Sequence, residues 1–220
     1  MPRPHALVVG TGPGLSAAVA RALAADHDLT LVARDTDDLS GLAAETGARL
    51  HAADASDPAA VDALFADLPG PLRVAVYNPS ARVRGPLTEL EPDGVRNALA
   101  VTAFGAFLVG QGAARAMAGN DGPAKGTILF TGASAGVKGF PRSAAFAMGR
   151  FAQRGLAQSM SRELHPQGIH VAWINVDGAI GTGEGRLHPD AIARTYMALI
   201  AQDPSAWSEE VAVRPMQERF

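Results

Sequence analysis

Cysteine is absent from the 220 residues, which excludes disulfides, thiolate nucleophiles and thiolate metal sites and fits a reducing compartment. Redox chemistry here would need a bound cofactor. An excess of charge of one sign is also lacking. The 19 Lys and Arg and 22 Asp and Glu give a formal net charge of −3, and they are scattered without the basic stripe that nucleic-acid binding uses. A small-molecule partner is expected, and no nucleic acid. Apolar residues make up 47% of the chain, yet no run approaches the roughly 18 uninterrupted residues of a membrane helix. The opening MPRPHALVVG has neither the hydrophobic stretch nor the small-residue cleavage site of a signal peptide. These absences predict a cytoplasmic protein with no membrane partner. The six histidines, at 5, 27, 51, 165, 170 and 188, show no HExxH or other ligand spacing, so no metal is expected. Tyrosine is limited to positions 77 and 196 and lysine to 125 and 138, a scarcity that matters below.

What is present is alternation. Short β-rich apolar runs alternate with longer Ala/Leu-rich segments of helical period, the pattern of βαβ units. The expected strands are 6–10, 29–33, 49–53, 73–78, 126–132, 169–176 and the weaker 210–215. In the helical segment 57–68, Asp57 is placed as N-cap and Pro58 at the first helical position, where a missing N–H costs nothing. Segments 93–118 and 143–164 read as long helices. The Gly/Pro clusters at 119–126 and 181–189 fall between elements, and no internal repeat interrupts the pattern. The expectation is one domain, residues 1–220, of α/β class with a doubly wound parallel sheet.

The first strand runs into VVGTGPGLSAAVARAL, where Gly10, Gly12 and Gly14 form a turn that opens onto an Ala-rich helix. Such a turn lets a pyrophosphate approach the backbone and meet the free N–H groups of a helix start. A plain structural turn is the alternative. Arg34 ends the second strand, where an arginine can pair with the 2′-phosphate of NADP and an acidic residue would select NAD; a solvated surface arginine is the competing reading. Asp54 ends the third strand, either as an acceptor for the adenine amino group or as a helix cap. Asn78 and Pro79 follow the fourth strand, at the carboxyl edge where ligands of this architecture bind.

Together these motifs resemble the short-chain dehydrogenase/reductase family over nearly the whole chain, which implies a Rossmann-type fold. The family's TGxxxGxG loop corresponds to Val9 through Ser16, with valine for the leading threonine and serine for the last glycine. NNAG corresponds to Tyr77 through Ser80, matching at Asn78, and PGxxxT is similar to Asp177 through Thr182, lacking the proline. The resemblance implies a dinucleotide-binding set of Gly10, Thr11, Gly12, Gly14, Leu15, Arg34, Asp54, Ala55, Asn78, Pro79, Arg150, Gly178, Ile180 and Thr182. NADP(H) is favoured over NAD(H), and a homodimer or homotetramer is implied through the two long helices.

The family's catalytic serine, tyrosine, lysine and asparagine fall on Ala133, Phe146, Arg150 and Thr102. All four are changed. Phenylalanine has no proton to donate, and loss of a general acid costs roughly 10²–10⁴ in rate. An arginine stays protonated and suits binding better than proton relay. Ser134 and Ser143 are the nearest substitute hydroxyls, each alternatively a loop or helix-cap serine, and Arg82 and Arg84 could meet an acidic substrate or simply be solvated. Tyr196 reads as a packing residue. Three functions remain: an NADP(H)-dependent oxidoreductase of a small carbonyl or alcohol with a non-standard proton donor, an NADP(H)-binding sensor or inactive subunit, and a redirected lyase or dehalogenase.

Overall fold

The computed structural model describes residues 3–217. Seven strands form one fully parallel sheet: β1 (His5–Val9), β2 (Asp28–Ala33), β3 (Arg49–Ala52), β4 (Leu72–Tyr77), β5 (Gly126–Thr131), β6 (Ile169–Val176) and β7 (Glu210–Val213). Their spatial order is β3-β2-β1-β4-β5-β6-β7, and every neighbouring pair is parallel. All seven expected strands are found, the 169–176 strand with its ends unchanged and the others with ends shifted by at most two residues. The order reverses direction between β1 and β4, leaving a crevice at their carboxyl ends.

Both faces of the sheet are covered, so period-2 side chains divide between two cores. Ala6 and Val8 of β1 pack with helices α1 (Leu15–Leu23), α2 (Ser40–Thr46) and α7 (Pro189–Ile200). Leu7 and Val9 pack on the opposite face with α3 (Pro58–Ala66), α5 (Gly105–Ala118) and α6 (Ala144–Leu164). Asp57 caps α3 as its sequence predicts, its carboxylate accepting from Ala59 N at 3.0 Å.

The segment expected as one helix from 93 to 118 is a single rod with a defect. Helix α4 (Pro92–Leu99) passes through one π-helical turn, Ala100–Phe104, before α5 begins. A wider turn releases backbone carbonyls from their usual partners, and the buried Tyr77 hydroxyl donates to the oxygen of Val101. The whole rod, Pro92–Ala118, is long and apolar enough to cross a membrane by length and composition, but Ala106, Val109, Ala113 and Met117 lie in the core. Its outer side exposes Phe104 and Phe107, whose rings stack at 6.2 Å, and α6 exposes Met148 and Phe151.

Candidate active site

The crevice holds two adjoining cavities that share Gly10, Asn78 and Ser80. Gly10 has φ +79°, and a Cβ on it would stand 2.6 Å from the Pro79 ring; both the left-handed backbone and the close approach require glycine. Three bonds from the Ser16 and Asn78 side chains hold this turn. Ser16 Oγ donates to Gly10 O at 2.9 Å, and Asn78 Nδ2 donates to Ser16 Oγ at 2.8 Å and to Gly10 O at 3.2 Å. Asn78 therefore positions the loop. Ser16, standing where the family pattern has its last glycine, does the same, a role that sequence reasoning missed.

Beyond that turn Gly12 and Gly14 have no atom within 4 Å of where a Cβ would be, and both line the second cavity. Gly14 is the N-cap of α1, with no side-chain capping bond. Backbone N–H groups at such a start attract an anion. Thr11 lines the first cavity, yet its hydroxyl donates to Val8 O at 3.0 Å and its N–H to Val32 O at 2.9 Å. It braces the turn.

The first cavity, about 480 Å³, is also lined by Arg34, Asp35, Asp54, Ala55 and Pro79. Arg34 is exposed there. Asp54 Oδ1 accepts from Ser56 Oγ and N at 2.7 and 2.9 Å, and these bonds, ahead of the Arg34 charge, hold its carboxyl below the usual carboxylate range. The expected capping role belongs to Asp57, leaving Asp54 at the cavity edge.

The second cavity, about 590 Å³, ends among Ala133, Phe146, Arg150, Gly178, Ala179 and Ile180. Thr182 lies outside this lining and is exposed. Pairing of Gly181 N with Leu187 O and of Leu187 N with Ala179 O, both at 2.9 Å, closes a short loop that carries it away.

Chemistry-bearing groups at this end face inward. Arg150 is buried, donating to the backbone oxygen of Thr131 and to Gln153 Oε1, the latter at 2.9 Å. Burial pulls its guanidinium down to about 10, and its Nε has no partner. Thr102 is buried behind Gly149, its Oγ1 accepting from Ala81 N at 3.0 Å. Tyr196, fully buried, shares a 2.7 Å bond with Thr131 Oγ1, the packing role that its sequence position suggests. Burial raises both Tyr77 and Tyr196 above the ordinary tyrosine range. Arg82 is placed differently, its guanidinium carbon 3.9 Å from the centroid of the Phe146 ring and facing the cavity.

The family model for short chain dehydrogenases matches residues 4–184. The chain belongs to the short-chain dehydrogenase family. It is similar to L-2,3-butanediol dehydrogenase of Corynebacterium glutamicum, with 30% identity over 190 residues that cover 81% of this chain and 72% of that protein. Among solved structures it is similar to a short-chain dehydrogenase from Rhodopseudomonas palustris, with a TM-score of 0.85, 33% identity and coverage of 96% and 98% of the two chains. A metagenomic short-chain oxidoreductase in complex with NADP gives a TM-score of 0.87 at 27% identity, covering 97% of each chain.

Where the second cavity ends, around Ala133, Phe146 and Ile180, side-chain hydroxyls are few. Ala133 and Phe146 present no acidic proton, and neither tyrosine lines the cavity. Ser134 and Ser143 line a third cavity beyond Phe146. Ser143 is the N-cap of α6 but makes no side-chain capping bond, so its hydroxyl is not committed to the helix start.

Proposed function

We propose that this short-chain dehydrogenase is an NADP(H)-dependent oxidoreductase acting on a small carbonyl or alcohol, with a proton donor other than a tyrosine. The observation that carries the reading is the uncapped start of α1 beside Gly12 and Gly14, opening on a crevice that runs from Arg34 to Arg150. The donor set fits a dinucleotide: free helix N–H groups suit a pyrophosphate, Arg34 a 2′-phosphate, and the unpartnered Nε of Arg150 a ligand oxygen. A bound nicotinamide would supply or accept hydride. Around it, Asn78 and Ser16 hold the glycine turn in place, Phe146 forms an apolar wall, and Arg82 offers a positive charge to oxygen developing on the substrate. Water admitted through the open third cavity is the proton source.

A second reading, a dinucleotide-binding protein without turnover, is favoured by the inward-facing bonds of Thr102 and Arg150. Calorimetric titration with NADPH and NADH, followed by turnover across a carbonyl panel, separates the two. Binding with turnover supports the oxidoreductase, binding with uniform silence supports the second reading, and no binding of either coenzyme defeats both. Arg34→Glu should cut NADPH affinity by roughly tenfold or more while sparing NADH. We read the exposed Phe104, Phe107, Met148 and Phe151 as a face covered by a second copy of this chain, so sedimentation velocity should show a dimer or larger; a monomer would refute that assembly.

A further inference from the structure

The cavity beyond Phe146 encloses about 610 Å³, room for a small molecule. Arg82, Arg84 and Arg142 line it, together with Phe140, Phe146 and Val176, and no carboxylate is in the lining. Seven other arginines, among them Arg21, Arg49 and Arg154, have an acidic partner. These three, like Arg34, Arg73, Arg115, Arg150, Arg186 and Arg194, have none among the described residues, and they are set apart by lining one cavity together. Guanidinium groups brought together without a counter-charge repel one another, and burial followed by the Arg84 charge holds Arg82 below the usual arginine range.

Backbone geometry holds the cluster together. Arg142 has φ 61°, the one positive φ on a described non-glycine residue, a conformation that side-chain-bearing residues adopt at a cost and that concentrates at functional sites. Its carbonyl accepts from Gly85 N at 3.3 Å, tying the loop after β4, which carries Arg82 and Arg84, to the loop before α6. Arg82 also lines the second cavity, so the cationic wall is continuous with the reacting end.

We infer that the substrate is an anionic carbonyl compound whose carboxylate or phosphate is held by Arg84 and Arg142, with its short apolar body against Phe140 and Val176 and its carbonyl turned toward Arg82. The inference rests on the oxidoreductase reading for its carbonyl; the anion site stands on the arginines alone. A fork of N–H donors suits either oxyanion.

The test is calorimetric titration of phenylpyruvate, its methyl ester and phenyl phosphate, with and without NADPH. At least one of the anions should bind roughly tenfold tighter than the ester, and Arg84→Gln and Arg142→Gln should each erase most of that preference. Both side chains are exposed, so both variants should fold, and unchanged melting confirms it. Tighter binding of phenyl phosphate than of phenylpyruvate assigns a phosphate, and the reverse a carboxylate. Equal binding of anions and ester, a preference that survives both substitutions, or no binding of any probe overturns the proposal. If NADPH fails to bind while the anion preference persists, the cofactor reading falls and the anion site remains.

Discussion

Arg34 and Arg150 stand at opposite ends of one crevice, in different surroundings. From Arg34 to the glycine turn the chain offers ligand-facing groups that the fold does not otherwise use: an exposed guanidinium in the first cavity, and bare Gly12 and uncapped α1 in the second. Around Arg150 four polar side chains are spent on the fold. Thr102 accepts from Ala81 N, Tyr77 donates to Val101 O, Tyr196 bonds Thr131, and Arg150 itself binds Thr131 O and Gln153. Binding geometry is built from backbone and a few long-range bonds, while proton chemistry depends on particular side chains.

The largest expected effect comes from rebuilding the poorer end. Ala133→Ser, Phe146→Tyr and Arg150→Lys together place a hydroxyl, a proton donor and an ammonium where the family pattern has them. NADPH-dependent turnover of a carbonyl substrate should rise by roughly 10²–10⁴, the usual contribution of a general acid. The pair Ala133→Ser, Phe146→Tyr serves as a control that keeps the buried bonds of Arg150. If both variants bind NADPH and neither gains rate, hydroxyls at positions 133 and 146 are not what limits this end.

A smaller effect tests the richer end. Gly12 has open space where a Cβ would go, so Gly12→Val should leave the melting temperature nearly unchanged. It should weaken NADPH binding by roughly 100-fold, because the added side chain fills the approach of the pyrophosphate to the helix start. Gly10→Val is the contrasting variant, since its clash with Pro79 and positive φ strain the fold itself. Retained affinity in Gly12→Val would place the dinucleotide elsewhere.

Much of the fold is legible in the amino-acid sequence alone. The strands announce themselves by short β-rich runs, and Asp57-Pro58 marks a helix start by local chemistry alone. The glycine turn is equally local, as its function depends on Gly10 to Gly14 and the helix that follows. What stayed hidden depends on distant partners. The π turn at Ala100–Phe104 is supported by a hydroxyl from β4, and Thr102 accepts from a loop beyond the same strand. Arg82 gains its importance from stacking on Phe146 of α6, and Thr182 leaves the cleft because Ile180 bridges to Leu187. No spacing in the sequence encodes those pairings.

Thr102 offers the smallest and most local test of whether the reacting end has turned its polar groups to holding the fold. Its Oγ1 is the acceptor for Ala81 N, just ahead of Arg82. Thr102→Val keeps the shape and removes the acceptor, leaving a backbone N–H to find water or go unpaired. The expected cost is about 1 kcal/mol, a fall of about 2–4 °C in melting temperature for a domain of this size. Thr102→Ser, which restores the hydroxyl, should recover most of it. A hydroxyl used for chemistry would behave in the opposite way, with turnover falling and melting unchanged, so measuring both on the same two variants decides which role Thr102 has.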